Sequence, residues 1–263
     1  MNSSMLFTSP GNVIFSVCGF DIYYYGVLMG LAIVVGLFVA NKFAEVYYDY
    51  KNTVLDIAPI ILLGGILGAR LYFCVLNSSY YFHNVLEILD FRGGGLSIHG
   101  AFLGGIVSLF ILARKNRLDF AKICDSFIFA LPLAQAIGRW GNFFNSEAFG
   151  RPTNLSWGVY IPVENRPDKY LDSSFFHPTF LYESVLDILI FGILIYLLKT
   201  KKLKAGNLTA IYFILYSIVR ILVESVRIDC TTFLCGVPVP ILISVVIIIS
   251  GSFYLFKNSK ISE

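Results

Sequence analysis

The amino-acid sequence predicts an all-α polytopic membrane protein, with seven transmembrane helices and a small irregular extracytoplasmic cap. Three observations predict it. Hydrophobic residues fill 57% of the 263 positions and charged residues only 14%, far below the roughly 25% charge of an average soluble domain. Apolar runs of about 20 residues, the length that crosses a ~30 Å hydrocarbon core, recur along the chain with little between them. The Lys and Arg residues are segregated by connection, as the positive-inside rule requires of a multi-pass protein.

In chain order, residues 1–21 hold Pro10 and no Lys or Arg, so they lack the basic start of a cleaved signal peptide and the first span is expected to stay in the mature protein. The spans are residues 23–44, 54–76, 96–113, 123–144, 179–198, 208–226 and 239–256. Small pairs at Gly26/Gly30, Gly64/Gly68 and Gly100/Gly104 predict close approach of the first three helices. Residues 147–178 form the one long hydrophilic connection; Gly150, Pro152, Pro162 and Pro167 make it an irregular cap. No second domain is required, and residues 1–263 read as a single integral membrane domain.

Orientation follows from charge. One set of connections carries Lys42, Lys51, Arg114, Lys115, Arg117, Lys122, Lys199, Lys201, Lys202, Lys204, Lys257 and Lys260, and the opposite set carries Arg92, Arg151, Arg166, Lys169 and Arg227. The richer side is cytoplasmic, which puts the N-terminus and the cap outside and the C-terminus inside. No basic stripe interleaved with aromatics is present, so nucleic acid is not an expected partner. The five cysteines lack metal-site spacing; Cys230 and Cys235 are candidates for a bridge only if their connection faces an oxidising compartment.

Arg70, Arg139 and Arg220 remain, all inside apolar spans. A mid-helix charge costs about 2.5–3.5 kcal/mol even on the mild insertion scale, so each needs a partner or a ligand. Arg139 lies seventeen residues after Lys122 and Arg220 sixteen after Lys204, which places both roughly 24–26 Å above the cytoplasmic face. Tyr25, His99, Asn142, Asn145, Glu147, His177, Tyr182, Glu183, Glu224 and Arg227 are expected at that level. Arg220 and Glu224, at i, i+4, also read as a plain ion pair. Three guanidiniums at one depth suit a bound anion, since Arg grips phosphate through its planar fork, and a phospholipid headgroup is the anion found there. Asp187, deeper in the fifth span, has no role legible in the sequence.

The run Gly138-Arg139-Trp140-Gly141-Asn142-Phe143-Phe144-Asn145-Ser146-Glu147-Ala148-Phe149-Gly150 resembles the signature of prolipoprotein diacylglyceryl transferases. Further blocks agree in order: Tyr25-Gly26, Gly68-Ala69-Arg70-Leu71, Gly94-Gly95-Leu96-Ser97-Ile98-His99-Gly100, His177-Pro178, Leu181-Tyr182-Glu183, and Arg220 with Glu224 and Arg227. Phe180 departs from the pattern, where the family usually has Gln. The resemblance implies seven helices in the bacterial cytoplasmic membrane. It also implies transfer of the diacylglyceryl group of phosphatidylglycerol to the lipobox cysteine thiol of a lipoprotein precursor, with release of glycerol phosphate and no cofactor. Residues implied in catalysis are His99, Arg139 and Arg220; those implied in substrate binding are Tyr25, Asn142, Asn145, Glu147, Gly150 and Glu224, with Arg70 in support. A thiol of pKa about 8.5 needs help in ionising, which nearby arginines or His99 as proton acceptor would give. The rival reading is a transporter or flippase that binds the headgroup without chemistry, but such proteins place their site at the midplane between internal repeats, and neither is visible.

Overall fold

The computed structural model describes residues 7–90, 94–228, 233–234 and 236–260. Arg92, Gly93, Cys230 and Cys235, and with them the bridge considered above, lie outside the described residues. Every predicted span is a helix: α1 (Tyr24–Tyr48), α2 (Thr53–Leu76), then after the short α3 (Ser78–Tyr81), α4 (Ile98–Lys115), α5 (Phe120–Phe144), α6 (Thr179–Thr200), α7 (Asn207–Glu224) and α8 (Val239–Lys260). Seven of them are long and apolar enough to cross a membrane. Several run past the apolar stretch, as α1 does by four residues to Tyr48 and α4 by two to Lys115, because helix hydrogen bonding does not stop where the hydrocarbon does.

The chain divides into two compact units, Leu37–Ser126 and Met1–Gly36 with Phe127–Glu263. In the first, α2 and α4 meet along a glycine seam. A Cβ on Gly68 would lie 2.5 Å from the Gly100 carbonyl oxygen and 2.8 Å from the Gly104 Cα, and one on Gly100 would strike the Gly68 carbonyl and Tyr72. Backbone packs on backbone there, the use of small residues that membrane helix pairs depend on. Gly26 and Gly30 do not share this role: a Cβ on either meets nothing within 4 Å, which corrects the expectation that all three glycine pairs close a helix interface. Gly100→Val is therefore expected to destabilise the protein by about 1–3 kcal/mol or more through overpacking, while Gly26→Ala leaves the midpoint of thermal unfolding in detergent unchanged. Equal midpoints for the two variants would contradict the seam.

In the second unit, a hairpin of β2 (Val13–Val17) and β3 (Phe20–Tyr23) leads directly into α1. Its two-residue turn, Cys18 and Gly19, has positive φ at both positions, the form that matches strand twist. The cap is more ordered than an irregular connection. β1 (Phe7–Thr8) pairs in parallel with β4 (Val159–Tyr160), which pairs antiparallel with β5 (Phe175–Phe176). Beneath this sheet Phe149, Val159, Ile161, Phe176 and Phe180 form a buried core, with Trp140 and Phe143 of α5 against it. Phe180, the departure from the family pattern, packs at 5.1 Å from the Phe143 ring and 5.5 Å from that of Trp140.

Candidate functional site

The site in the second unit is built around Arg139. α5 carries it about one turn from its C-terminal end, and the side chain is 21% exposed. Its Nη2 lies 2.6 Å from Glu183 Oε2 on α6 and donates more weakly to the Tyr216 hydroxyl on α7, at 3.4 Å. The other oxygen of Glu183 accepts from Arg227 Nη1 at 2.9 Å, so one buried carboxylate holds two guanidiniums from opposite sides. On α7 Arg220 Nη2 lies 2.7 Å from Glu224 Oε2, the pairing that the i, i+4 spacing predicts. Three guanidiniums thus meet two carboxylates, Glu183 and Glu224.

Breaking a buried pair from one side leaves a stranded charge, at a cost of about 3–5 kcal/mol. Glu183→Ala strands two, so its thermal unfolding midpoint is expected to fall well below that of wild type. An unchanged midpoint would show that lipid or water already satisfies both arginines.

A second cluster sits where α5 ends. Asn142 Nδ2 donates to Glu147 Oε1 at 2.9 Å and Asn145 Nδ2 to the same oxygen at 3.4 Å. The chain can fold back this sharply because Ser146 and Ala148 adopt left-handed φ of 52° and 54°. Asn165 of the cap braces the turn by donating to the carbonyls of Asn145 and Ser146. Glu147 itself is exposed, and Oε2 has no partner among the described residues.

Tyr25 lies against the signature run. A Cβ on Gly141 would come 2.5 Å from its Cδ2, and the neighbouring Tyr24 ring stacks on Phe144 at 4.0 Å. Gly141 is thus the residue that lets Tyr25 reach this place. Gly141→Val is expected to push the ring aside and lower turnover by about 10²-fold, the usual result of an ångström-scale misplacement; undiminished turnover would remove Tyr25 from the site.

Gly150 is fixed by its backbone and by crowding. Its backbone N–H donates to the His177 carbonyl at 2.9 Å, Arg151 N–H to that of Val226 at 2.9 Å, and a Cβ at Gly150 would lie 2.8 Å from both the His177 Cβ and Val226 Cγ1. It is the crossing point of three chain segments. Nearby, Trp157 Nε1 donates to the Tyr182 hydroxyl at 3.1 Å, which leaves that hydroxyl's own proton for His177 Nδ1, also at 3.1 Å. Tyr182 is therefore anchored by two partners rather than lying loose among lipid headgroups.

Arg70 and His99 belong to the other unit. Arg70, 4% exposed, donates from Nε to the Ile88 carbonyl (2.9 Å), from Nη1 to those of Gly94 (2.8 Å) and Gly95 (3.1 Å), and from Nη2 to that of Glu87 (2.5 Å). The guanidinium thereby secures the connection that leads into α4, which is a supporting role. His99, on the first turn of α4, is exposed, and its ring lies 6.3 Å from that of Tyr72.

Residues 12–257 match the family described as prolipoprotein diacylglyceryl transferase. Relatives named phosphatidylglycerol–prolipoprotein diacylglyceryl transferase include a Finegoldia magna protein, 42% identical over 94% of this chain and 96% of its own length. A Thermotoga maritima protein of the same name is 39% identical over 94% of this chain and 85% of its own. One from Synechococcus elongatus is 41% identical over 86% and 80%.

Proposed function

We infer the chemistry of this site from the premise that the chain belongs to the prolipoprotein diacylglyceryl transferase family. It is a multi-pass membrane enzyme that transfers the diacylglyceryl group from phosphatidylglycerol to prolipoprotein. The acceptor is the thiol of the precursor's lipobox cysteine. Its S–H bond breaks and the proton passes to a base; sulfur then bonds to the glycerol carbon that bears the phosphate. The C–O bond breaks with its electron pair going to the phosphate oxygen. The products are a thioether and glycerol phosphate, which has gained one negative charge.

The observation that carries the reading is the state of Arg139. Glu183 and Tyr216 engage one of its nitrogens, while Nε and Nη1 have no partner among the described residues. A guanidinium anchored at one corner presents its other donors in a fixed plane, the arrangement that stabilises charge as it collects on a leaving phosphate. Arg220, held among the described residues through Nη2 by Glu224, supplies a second set. The open oxygen of Glu147 accepts from the headgroup glycerol hydroxyls, with Asn142 and Asn145 fixing its position. Tyr25 lines this opening, Gly150 and Glu224 hold the surrounding backbone and charges, and Arg70 supports the connection that carries His99. His99 takes the thiol proton.

The reaction runs at the outer leaflet of the bacterial cytoplasmic membrane, with the N-terminus outside, the C-terminus in the cytoplasm and nucleic acid playing no part. Incubation of the purified protein with phosphatidylglycerol and a lipobox peptide is expected to raise the peptide mass by one diacylglyceryl group. Phosphatidylglycerol bound but unchanged would instead indicate a flippase. Alkaline phosphatase fused after Glu263 is expected to be inactive, and activity there would reverse the orientation.

A further inference from the structure

One ionisable side chain is buried beside this site and used by none of the steps above. Asp187 lies on α6 four residues beyond Glu183, so the two carboxyls share one helix face a turn apart. It is 1% exposed, and neither oxygen has a hydrogen-bond partner among the described residues. Nearby polar groups are committed elsewhere: Ser184 Oγ donates to the Ala136 carbonyl at 2.9 Å, and the Tyr212 hydroxyl donates to Gln135 Oε1 at 2.6 Å. The Arg139 guanidinium sits 2.6 Å from Glu183 Oε2, one helical turn from Asp187 on the same face. A buried carboxyl without a partner is costly and is kept only where something offsets it. Here three guanidiniums stand among three carboxyls, and among the described residues Glu183 and Glu224 are ion-paired while Asp187 is not.

We propose that Asp187 is a second seat for the Arg139 guanidinium, which competes with bound phosphate and hastens release of the phosphate product. The proposal rests on the reading that Arg139 holds the phosphate of phosphatidylglycerol. C–O cleavage adds a negative charge to that phosphate, so an arginine that stabilises the leaving group well also holds the product well. A carboxyl one turn deeper on the helix that already anchors Arg139 gives the guanidinium somewhere to go. Asp187 is then a positioning residue: it acts through Arg139 and touches no substrate.

The sign of the effect separates this role from packing. Loss of a packing residue loosens the site and weakens anion binding, whereas loss of a competing carboxyl strengthens it. With the full-length protein in detergent and phosphatidylglycerol micelles, Asp187→Asn is expected to bind glycerol phosphate more tightly as a product inhibitor, by about ten-fold, within the usual range of coupling between two sites. Its kcat falls while its KM for phosphatidylglycerol does not rise. Asp187→Glu keeps the acid and is expected to retain wild-type inhibition. Equal or weaker inhibition of Asp187→Asn would overturn the proposal, as would failure of both variants to fold, which would mark a packing residue. If glycerol phosphate inhibits wild type but not Arg139→Lys, and Asp187→Asn is no tighter, only the second seat fails. Absence of inhibition in wild type, together with full turnover of Arg139→Lys, removes the phosphate clamp and the second seat with it.

Discussion

Arg139→Lys is expected to fold and to lose turnover by about 10²–10³-fold, the effect of removing one preorganised donor from a developing oxyanion. Lysine keeps the positive charge, so the pair with Glu183 survives in some form. It loses the plane: an ammonium bound to Glu183 cannot also present two fixed N–H groups in a second direction. Arg220→Lys should follow the same course with a smaller loss, because Glu224 on the same helix restrains a lysine nearly as well. Single-turnover rates on folded variants test both. Wild-type rates in the lysine variants would mean that diffuse positive charge is sufficient.

His99→Gln is expected to slow transfer by about 10²–10⁴-fold, the usual worth of a general base. Glutamine approximates the size and hydrogen bonding of the ring and removes its basicity. The defect should shrink as pH approaches the thiol pKa of about 8.5, because the substrate then ionises without help. His99 begins a helix behind a run of glycines and is exposed, which suits a residue that must meet an incoming peptide. A pH–rate profile with saturating peptide decides the matter. A parallel drop at every pH would leave thiolate formation to the field of the arginines.

The seven spans were legible because burial in hydrocarbon demands a long apolar run, and such runs stand out in any sequence. Arg139 and Arg220 stood out because each is a charge set within an apolar run. Their partners did not. Glu183 stood in the sequence as an acid in an apolar run, but nothing in α6 alone says that it bonds Arg139 on α5 and Arg227 beyond α7. Tyr216 gave no signal, being one more aromatic in an aromatic-rich chain. The destination of Arg70 was equally hidden, since backbone carbonyls leave no mark on residue identity. Gly26/Gly30 and Gly100/Gly104 look alike as letters, and they differ only in what the fold sets opposite them. Gly150 came through its motif, while the crowding that requires glycine there arises from segments far along the chain. The order in the cap was missed because its strands are two residues each, too short for any alternation to register.

The shared carboxylate of Glu183 also bears on how the protein is made. Its two guanidinium partners are supplied by an earlier helix and by a residue beyond a later one, the latter 44 positions downstream. During synthesis Arg139 enters the bilayer before Glu183 exists to meet it, and Glu183 waits in turn for Arg227. Each charge is tolerated alone at about 2.5–3.5 kcal/mol, a penalty that the apolar remainder of its helix outweighs. A partly inserted chain therefore carries charges that have yet to meet their partners. The cluster is complete only once translation has passed α7, so a chain ended before Arg227 leaves the Glu183 carboxylate with one guanidinium in place of two.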